Sequence, residues 1–290
     1  MRDFSYRRTA DLKTALGILA EEKKNACVVA GATNVLPDIR SEKRTKGVLV
    51  DISGIKELRG IKQQGDAIFV GPLTTIGDIE KSDLLKKDAP VLWEVAKGFA
   101  DPSTRHAATI GGNICNASPA ADCAAPLLVL EAVLTLEKQG ASRELPINEF
   151  FRDKGKTALE ADELLTGISF KKAPNSAFYK LGGRKAMSIS AANFAVALQP
   201  DGKKVKNVRI ATGCLGPFPG RAIETEKLLE GKEPGDELLA KVAETLNRND
   251  ISPHSGLRAS EAYRRAVAPV FVCRLLKAAL KAEANTGGAK

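Results

Sequence analysis

Two short segments constrain this chain more than any other part of it. Each carries an apolar stretch into a glycine turn followed by small and amide-bearing residues. The first reads Val28-Val29-Ala30-Gly31-Ala32-Thr33-Asn34, and the second opens Thr109-Ile110-Gly111-Gly112-Asn113 and continues to Asn116-Ala117-Ser118-Pro119-Ala120-Ala121-Asp122. Glycine has no Cβ, so its backbone can take φ > 0, turn successive N–H groups into one concavity and let a phosphate approach within hydrogen-bond distance. Such a nest holds a diphosphate without a lysine. The bland alternative, an ordinary strand-terminating turn, is the commoner outcome for either segment taken alone. Neither segment is Gly-x-Gly-x-x-Gly or a loop ending in Gly-Lys-Ser/Thr, which disfavours a Rossmann domain and a P-loop NTPase. Ser118 and Asp122 add a hydroxyl and a carboxylate for sugar hydroxyls, although Asp122 equally suits capping of a helix that starts at Ala124.

Around these segments helix and strand signals alternate. Leu12, Ala15, Leu16 and Leu19 stand at helical spacing within residues 11–22. A strand at 27–30 follows and, after a basic loop, another at 47–52, giving a small β–α–β–β unit that ends near Leu58. Gly65 and Asp66 between Ile61 and the run 67–70 predict a hairpin. Residues 75–99 read as helix capped by Thr74 or Thr75, residues 101–106 as a loop, and 132–136 and 164–170 as strands. The turn-rich stretch Lys171-Lys172-Ala173-Pro174-Asn175-Ser176 marks a domain boundary. Beyond it, strands at 178–181, 191–198 and 205–212 precede helices at 220–230, 235–247 and 259–283, the last with Pro269 as a kink or break. That order suggests a three-stranded sheet under a helical layer. Residues 285–290 read as a disordered tail.

The excess of 44 Lys and Arg over 35 Asp and Glu lies in short clusters, and aromatics are only 5% and not interleaved with them. These are solvated faces rather than a nucleic-acid stripe, and a basic rim that steers an acidic partner subunit is compatible with them. The start Met1-Arg2-Asp3-Phe4-Ser5-Tyr6 lacks the apolar stretch of a secretory signal, and no window approaches the ~18 apolar residues of a membrane span. The expectation is a soluble, cytoplasmic protein. Cys27, Cys115, Cys123, Cys214 and Cys273 include no Cys-x-x-Cys pair, and His106 and His254 are the two histidines, which argues against a zinc or iron–sulfur site in this chain. No Ser, Cys or Lys sits in a recognisable nucleophile motif, so chemistry carried by a cofactor suits the chain best.

Taken together, VAGATN and TIGGNICNASPAAD resemble the two loops, AGGT-like and TIGGN…SP…D, of the FAD-binding medium subunits of xanthine dehydrogenase, carbon monoxide dehydrogenase and related molybdenum hydroxylases. The likeness extends over essentially the whole chain, through Ala177-Phe178-Tyr179-Lys180-Leu181 to Ser260-Glu261-Ala262-Tyr263-Arg264-Arg265. It implies an α+β fold: a two-part FAD-binding domain of the vanillyl-alcohol-oxidase (PCMH) type over residues 1–174, with parts at about 1–57 and 58–174, then a smaller sheet-plus-helix domain over 175–290. By the same resemblance Val28, Val29, Ala30, Gly31, Ala32, Thr33, Asn34 and Val35 hold the diphosphate with Ala108, Thr109, Gly112 and Asn113. Asn116, Ser118 and Asp122 lie toward ribityl and adenosine groups, and Phe99, Leu165 and Lys180 make further flavin contacts. It also implies a heterotrimer with a small subunit carrying [2Fe–2S] clusters and a large molybdopterin subunit, the flavin passing electrons to an acceptor such as NAD. The chain departs from the family at Ala32, where many relatives have a second glycine, and it lacks the cysteine-bearing insertion of the 4-hydroxybenzoyl-CoA reductase subunit. A self-contained flavin reductase or oxidase and a flavin-free assembly module remain the competing readings.

Overall fold

The structure, a computed structural model, describes residues 3–44, 46–184 and 187–281. The expected disordered tail at 285–290 lies outside the described residues. The first unit contains β1 (Asp3–Arg8), α1 (Leu12–Glu22), β2 (Ala26–Val29), α2 (Val35–Arg40) and β3 (Lys46–Asp51), with the strands parallel in the order β1-β3-β2. Asp11 caps α1 by accepting the Thr14 amide at 2.8 Å, and α1 buries Ala15, Leu16 and Leu19 against Val48, Val50 and Ile52. Parallel pairing requires crossover connections, so the expected basic loop between β2 and β3 contains a helix instead. Pro37 falls in the first turn of α2, where its missing N–H costs nothing.

The second unit comprises β4 (Ile61–Gln64), β5 (Ala67–Val70), α3 (Ile76–Glu80), α4 (Asp83–Asp88), α5 (Pro90–Gly98), α6 (Pro102–Ala107), α7 (Ile110–Cys115) and α8 (Ala124–Val129). It continues through β6 (Val133–Lys138), β7 (Ala141–Pro146), the short pair β8 (Phe151–Asp153) and β9 (Lys156–Thr157), and β10 (Leu164–Lys171). Its antiparallel sheet has the order β4-β5-β10-β6-β7. The helix expected over 75–99 is three helices. Thr75 and Asp78 cap α3 reciprocally, Ser82 caps α4, and Pro90 forces Ala89 out of helical geometry before opening α5. The loop expected at 101–106 is α6, capped by Asp101 and started by Pro102.

The last unit holds β11 (Ser176–Gly182), β12 (Ser190–Asp201), β13 (Lys204–Gly213), β14 (Gly220–Arg221), α9 (Ile223–Leu229), α10 (Asp236–Thr245) and α11 (Glu261–Lys281). The sheet order is β11-β12-β13-β14, so a short fourth strand extends the three expected. No break occurs at Pro269, which lies inside the continuous helix α11. Strand β12 is buried on both faces: Phe194, Val196 and Leu198 belong to the core shared with α11, while Ala195 and Ala197 belong to the core of the second unit. Two-sided burial explains its near-continuous apolar sequence. The units meet where α5 lies against β11, with Glu94 accepting the Phe178 amide at 2.6 Å and Ser176 Oγ accepting the Val91 amide at 3.3 Å.

Candidate cofactor site

All three units contribute walls to one cavity of about 570 Å³. From the first come Val28, Ala30, Gly31, Ala32, Thr33, Asn34, Val35 and Ile52. The second supplies Phe99, Ala108, Thr109, Gly112, Asn113, Asn116, Ser118, Asp122 and Leu165, and the third Lys180, Ser188 and Ile189. Of the residues expected at the site, Val29 alone does not line the cavity; it is buried at the end of β2. Sequence reasoning missed Ile52, Pro72, Leu73, Ala100, Thr104, Glu163, Ser188 and Ile189, among others that share this wall. None carries a local motif; they arrive there by the course of the chain.

The glycines serve close approach rather than left-handed backbone. A Cβ on Gly31 would stand 1.8 Å from the Ala107 carbonyl oxygen, and one on Gly111 would stand 2.6 Å from Pro72 Cβ. Gly31, Gly111 and Gly112 are absent from the positive-φ positions, whereas Ala32 (58°) and Ala100 (39°) hold positive φ on the cavity wall. The expectation that glycine φ > 0 shapes these turns is therefore corrected: the glycines let two backbone segments touch, and the left-handed corner of the first turn is an alanine.

The two segments also differ in what they offer. The Ala32, Thr33 and Asn34 amides donate to no acceptor among the described residues, and the Asn34 side chain caps nothing. In the second segment, which is the start of α7 rather than the end of a strand, the Ile110, Gly111 and Gly112 amides already donate to Thr74 O, Pro72 O and Thr109 Oγ1 at 3.0, 2.9 and 3.1 Å. That segment contributes side chains instead. Asn113 Oδ1 accepts the Cys123 amide at 3.1 Å, leaving its NH₂ group, and Asn116 and Ser118 lie beside it on the wall.

Asp122 does not cap α8, whose N-cap is Cys123 with no side-chain bond. Its carboxylate is tied to the last unit: Lys180 Nζ lies 2.6 Å from Oδ2 and also donates to Gly98 O at 3.1 Å, while Ser190 Oγ donates to Oδ1 at 2.6 Å. Both members of this ion pair are buried, with side chains 8% and 10% exposed. A second carboxylate on the wall, Glu163, is held below the usual carboxylate range by the Arg143 guanidinium, which bonds both its oxygens at 2.6 and 2.7 Å. Burial pushes the Cys115 thiol up to about 12 and the Cys123 thiol further, so neither supplies a thiolate. No cluster of metal-ligating side chains occurs among the described residues, and no helix there is long and apolar enough to cross a membrane.

Unpartnered amides at 32–34, room made by absent Cβ atoms, and a row of amide, hydroxyl and carboxylate side chains supply the donors, acceptors and space that fit a diphosphate-bridged dinucleotide such as FAD. Comparison with known proteins points the same way. Residues 2–171 match the family described as the FAD binding domain in molybdopterin dehydrogenase, and residues 177–279 match the CO dehydrogenase flavoprotein C-terminal domain. A xanthine dehydrogenase FAD-binding subunit of Escherichia coli O157:H7 is 33% identical over 270 residues, which is 91% of this chain and 92% of the relative. The carbon monoxide dehydrogenase medium chain of Hydrogenophaga pseudoflava is 30% identical over 279 residues, 95% and 96% of the two chains. The solved carbon monoxide dehydrogenase from Hydrogenophaga pseudoflava that lacks the Mo-pyranopterin moiety of its cofactor superposes with a TM-score of 0.92 over 97% of this chain and 98% of that one, at 30% identity.

Proposed function

This chain belongs to the FAD-binding medium subunits of the molybdenum hydroxylase family, the xanthine and carbon monoxide dehydrogenase type, and from that premise we propose that it carries electrons from [2Fe–2S] clusters of a small partner subunit through FAD to a cytoplasmic acceptor such as NAD. A large molybdopterin subunit oxidises the substrate in this scheme. The flavin supplies the exchange between one-electron and two-electron carriers, and the protein supplies binding and orientation.

The observation that carries this reading is the row of free amides at Ala32, Thr33 and Asn34 on the cavity wall. In the proposed assignment these amides hold the diphosphate. Asn113, Asn116, Ser118 and the Asp122–Lys180 pair serve the ribityl chain and its neighbours, and Phe99 and Leu165 supply apolar walls. The chain divides at about residues 174 and 175, with the FAD-binding domain before that point and the smaller domain after it. The smaller domain then does more than cover the sheet, because Lys180, Ser188 and Ile189 close one wall of the cavity.

Purification of the chain from its own cells, with spectra and partner identification, tests the assignment. Two partner chains, a flavin-plus-cluster spectrum and reoxidation of the substrate-reduced flavin by NAD are the expected outcome. A colourless lone chain would favour the assembly module, and turnover of a small organic substrate by the lone chain would favour a self-contained reductase or oxidase.

A further inference from the structure

Ser190 and Asn193 do not line the cavity, yet both are polar side chains buried to 1% and 0% exposure in a strand otherwise rich in Ala, Phe, Val and Leu. Burying a hydroxyl and an amide in an apolar sheet is costly unless they are bonded, so their partner is informative. Both reach the same atom: Ser190 Oγ donates to Asp122 Oδ1 at 2.6 Å, and Asn193 Nδ2 lies 3.5 Å from it. Residues three apart on a regular strand point to opposite faces. Here they share one, because Leu181 pairs with Ala192 and Gly182 with Ser190, which leaves Ala191 as a bulge. A bulge re-aims the side chain beside it. Space for Asn193 is made on the neighbouring strand, where its partner is Gly213; a Cβ there would stand 2.4 Å from Asn193 Oδ1 and 2.7 Å from Nδ2. The same strand pair also closes on the loop before Asp122, where the Cys214 amide donates to Pro119 O at 2.8 Å.

Resting on the reading that FAD fills this cavity, we propose that Ser190 and Asn193 are positioning residues of the flavin site, holding the Asp122 carboxylate in place so that Asp122 and Lys180 present fixed polar groups to the cofactor. Flavin affinity then depends on a strand of the second domain, and by linkage bound flavin tightens the docking of that strand against residues 118–122.

The test is FAD titration of the full-length flavin-free chain for wild type, Ser190→Ala, Ser190→Thr, Asp122→Ala and the Ser190→Ala/Asp122→Ala double variant. Ser190→Ala weakens FAD by roughly tenfold, the scale of one hydrogen bond to a charged group, with unchanged far-UV circular dichroism. Ser190→Thr, which keeps the hydroxyl, restores most of that affinity. In the Asp122→Ala background the Ser190→Ala change shifts affinity by less than about twofold, because the two residues act as one unit. A purely structural hydroxyl would lower the melting temperature of Ser190→Ala and leave FAD affinity alone. That result, or additive losses in the double variant, overturns the proposal. Asn193→Ala run through the same cycle gives an independent answer if Ser190→Ala does not fold. Failure of the wild type to bind FAD would overturn the cavity assignment itself, a different outcome from wild-type binding with an indifferent Ser190.

Discussion

Ala32 holds φ of 58° at the corner of the first cavity turn, a conformation that costs a residue with a Cβ roughly 1 kcal/mol. Ala32→Gly relieves that cost, against some gain of unfolded-state entropy. The variant is expected to raise stability by up to about 1 kcal/mol in urea denaturation and to keep FAD affinity; a loss of stability would mean that the alanine methyl packs usefully. Asp122→Ala acts in the opposite direction. It strands the Lys180 ammonium, 10% exposed, without its carboxylate, and breaking a buried pair costs about 3 kcal/mol or more. The flavin-free chain should therefore lose stability as well as affinity, and a variant as stable as wild type would show that Lys180 finds another partner. At this scale the special residues were legible but their reasons were not. A glycine in a sequence says that a Cβ is unwelcome; whether it would violate φ or strike Ala107 is decided by a chain segment distant in sequence.

Among the elements, α5 and β11 carry the clearest pH dependence. Strand β11 is an edge of its sheet, and Glu94 on α5 accepts one of its amides. Burial pushes the Glu94 carboxyl above its ordinary 4.5, outweighing the Phe178 amide bond and Lys97, which both act to lower it. An acid with a raised folded pKa takes up a proton on folding. Its contribution is thus complete below the unfolded value and is lost as pH rises through the folded one. Glu94→Gln is neutral throughout, so its melting temperature should gain on wild type as pH rises from the ordinary 4.5 toward about 7. Glu163, lowered by Arg143, has the opposite sign and cancels in that difference. A gap that stays constant with pH would remove Glu94 as its cause. Strong periodic helices and strands such as α1, β3 and β12 were readable because one pattern fixes each. The split of 75–99 at Ser82 and Pro90, and the Asp101-Pro102 start of α6, rest on capping chemistry that lies within an apolar pattern and is easily overrun by it. Two-residue strands such as β9 and β14 exist only because a partner strand passes by.

For the molecule as a whole, the cavity is a junction of three units, and that explains which of its residues a sequence can reveal. The two glycine-bearing segments marked the site because their composition is unusual. Pro72, Thr104, Ser188 and Ile189 stand on the same wall through topology alone. The net charge of +9 favours association with negatively charged surfaces over positively charged ones. In the proposed assignment FAD binds this chain in this cavity, across the contact that Gly31 makes with Ala107. The deciding experiment is titration of the flavin-free wild-type chain and Gly31→Val with FAD, followed by gel filtration and flavin absorbance. The wild type should retain one flavin per chain and the variant, with its Cβ driven into the Ala107 carbonyl, should retain none. A wild-type chain that leaves the column colourless, or a variant that keeps its full flavin, would contradict it.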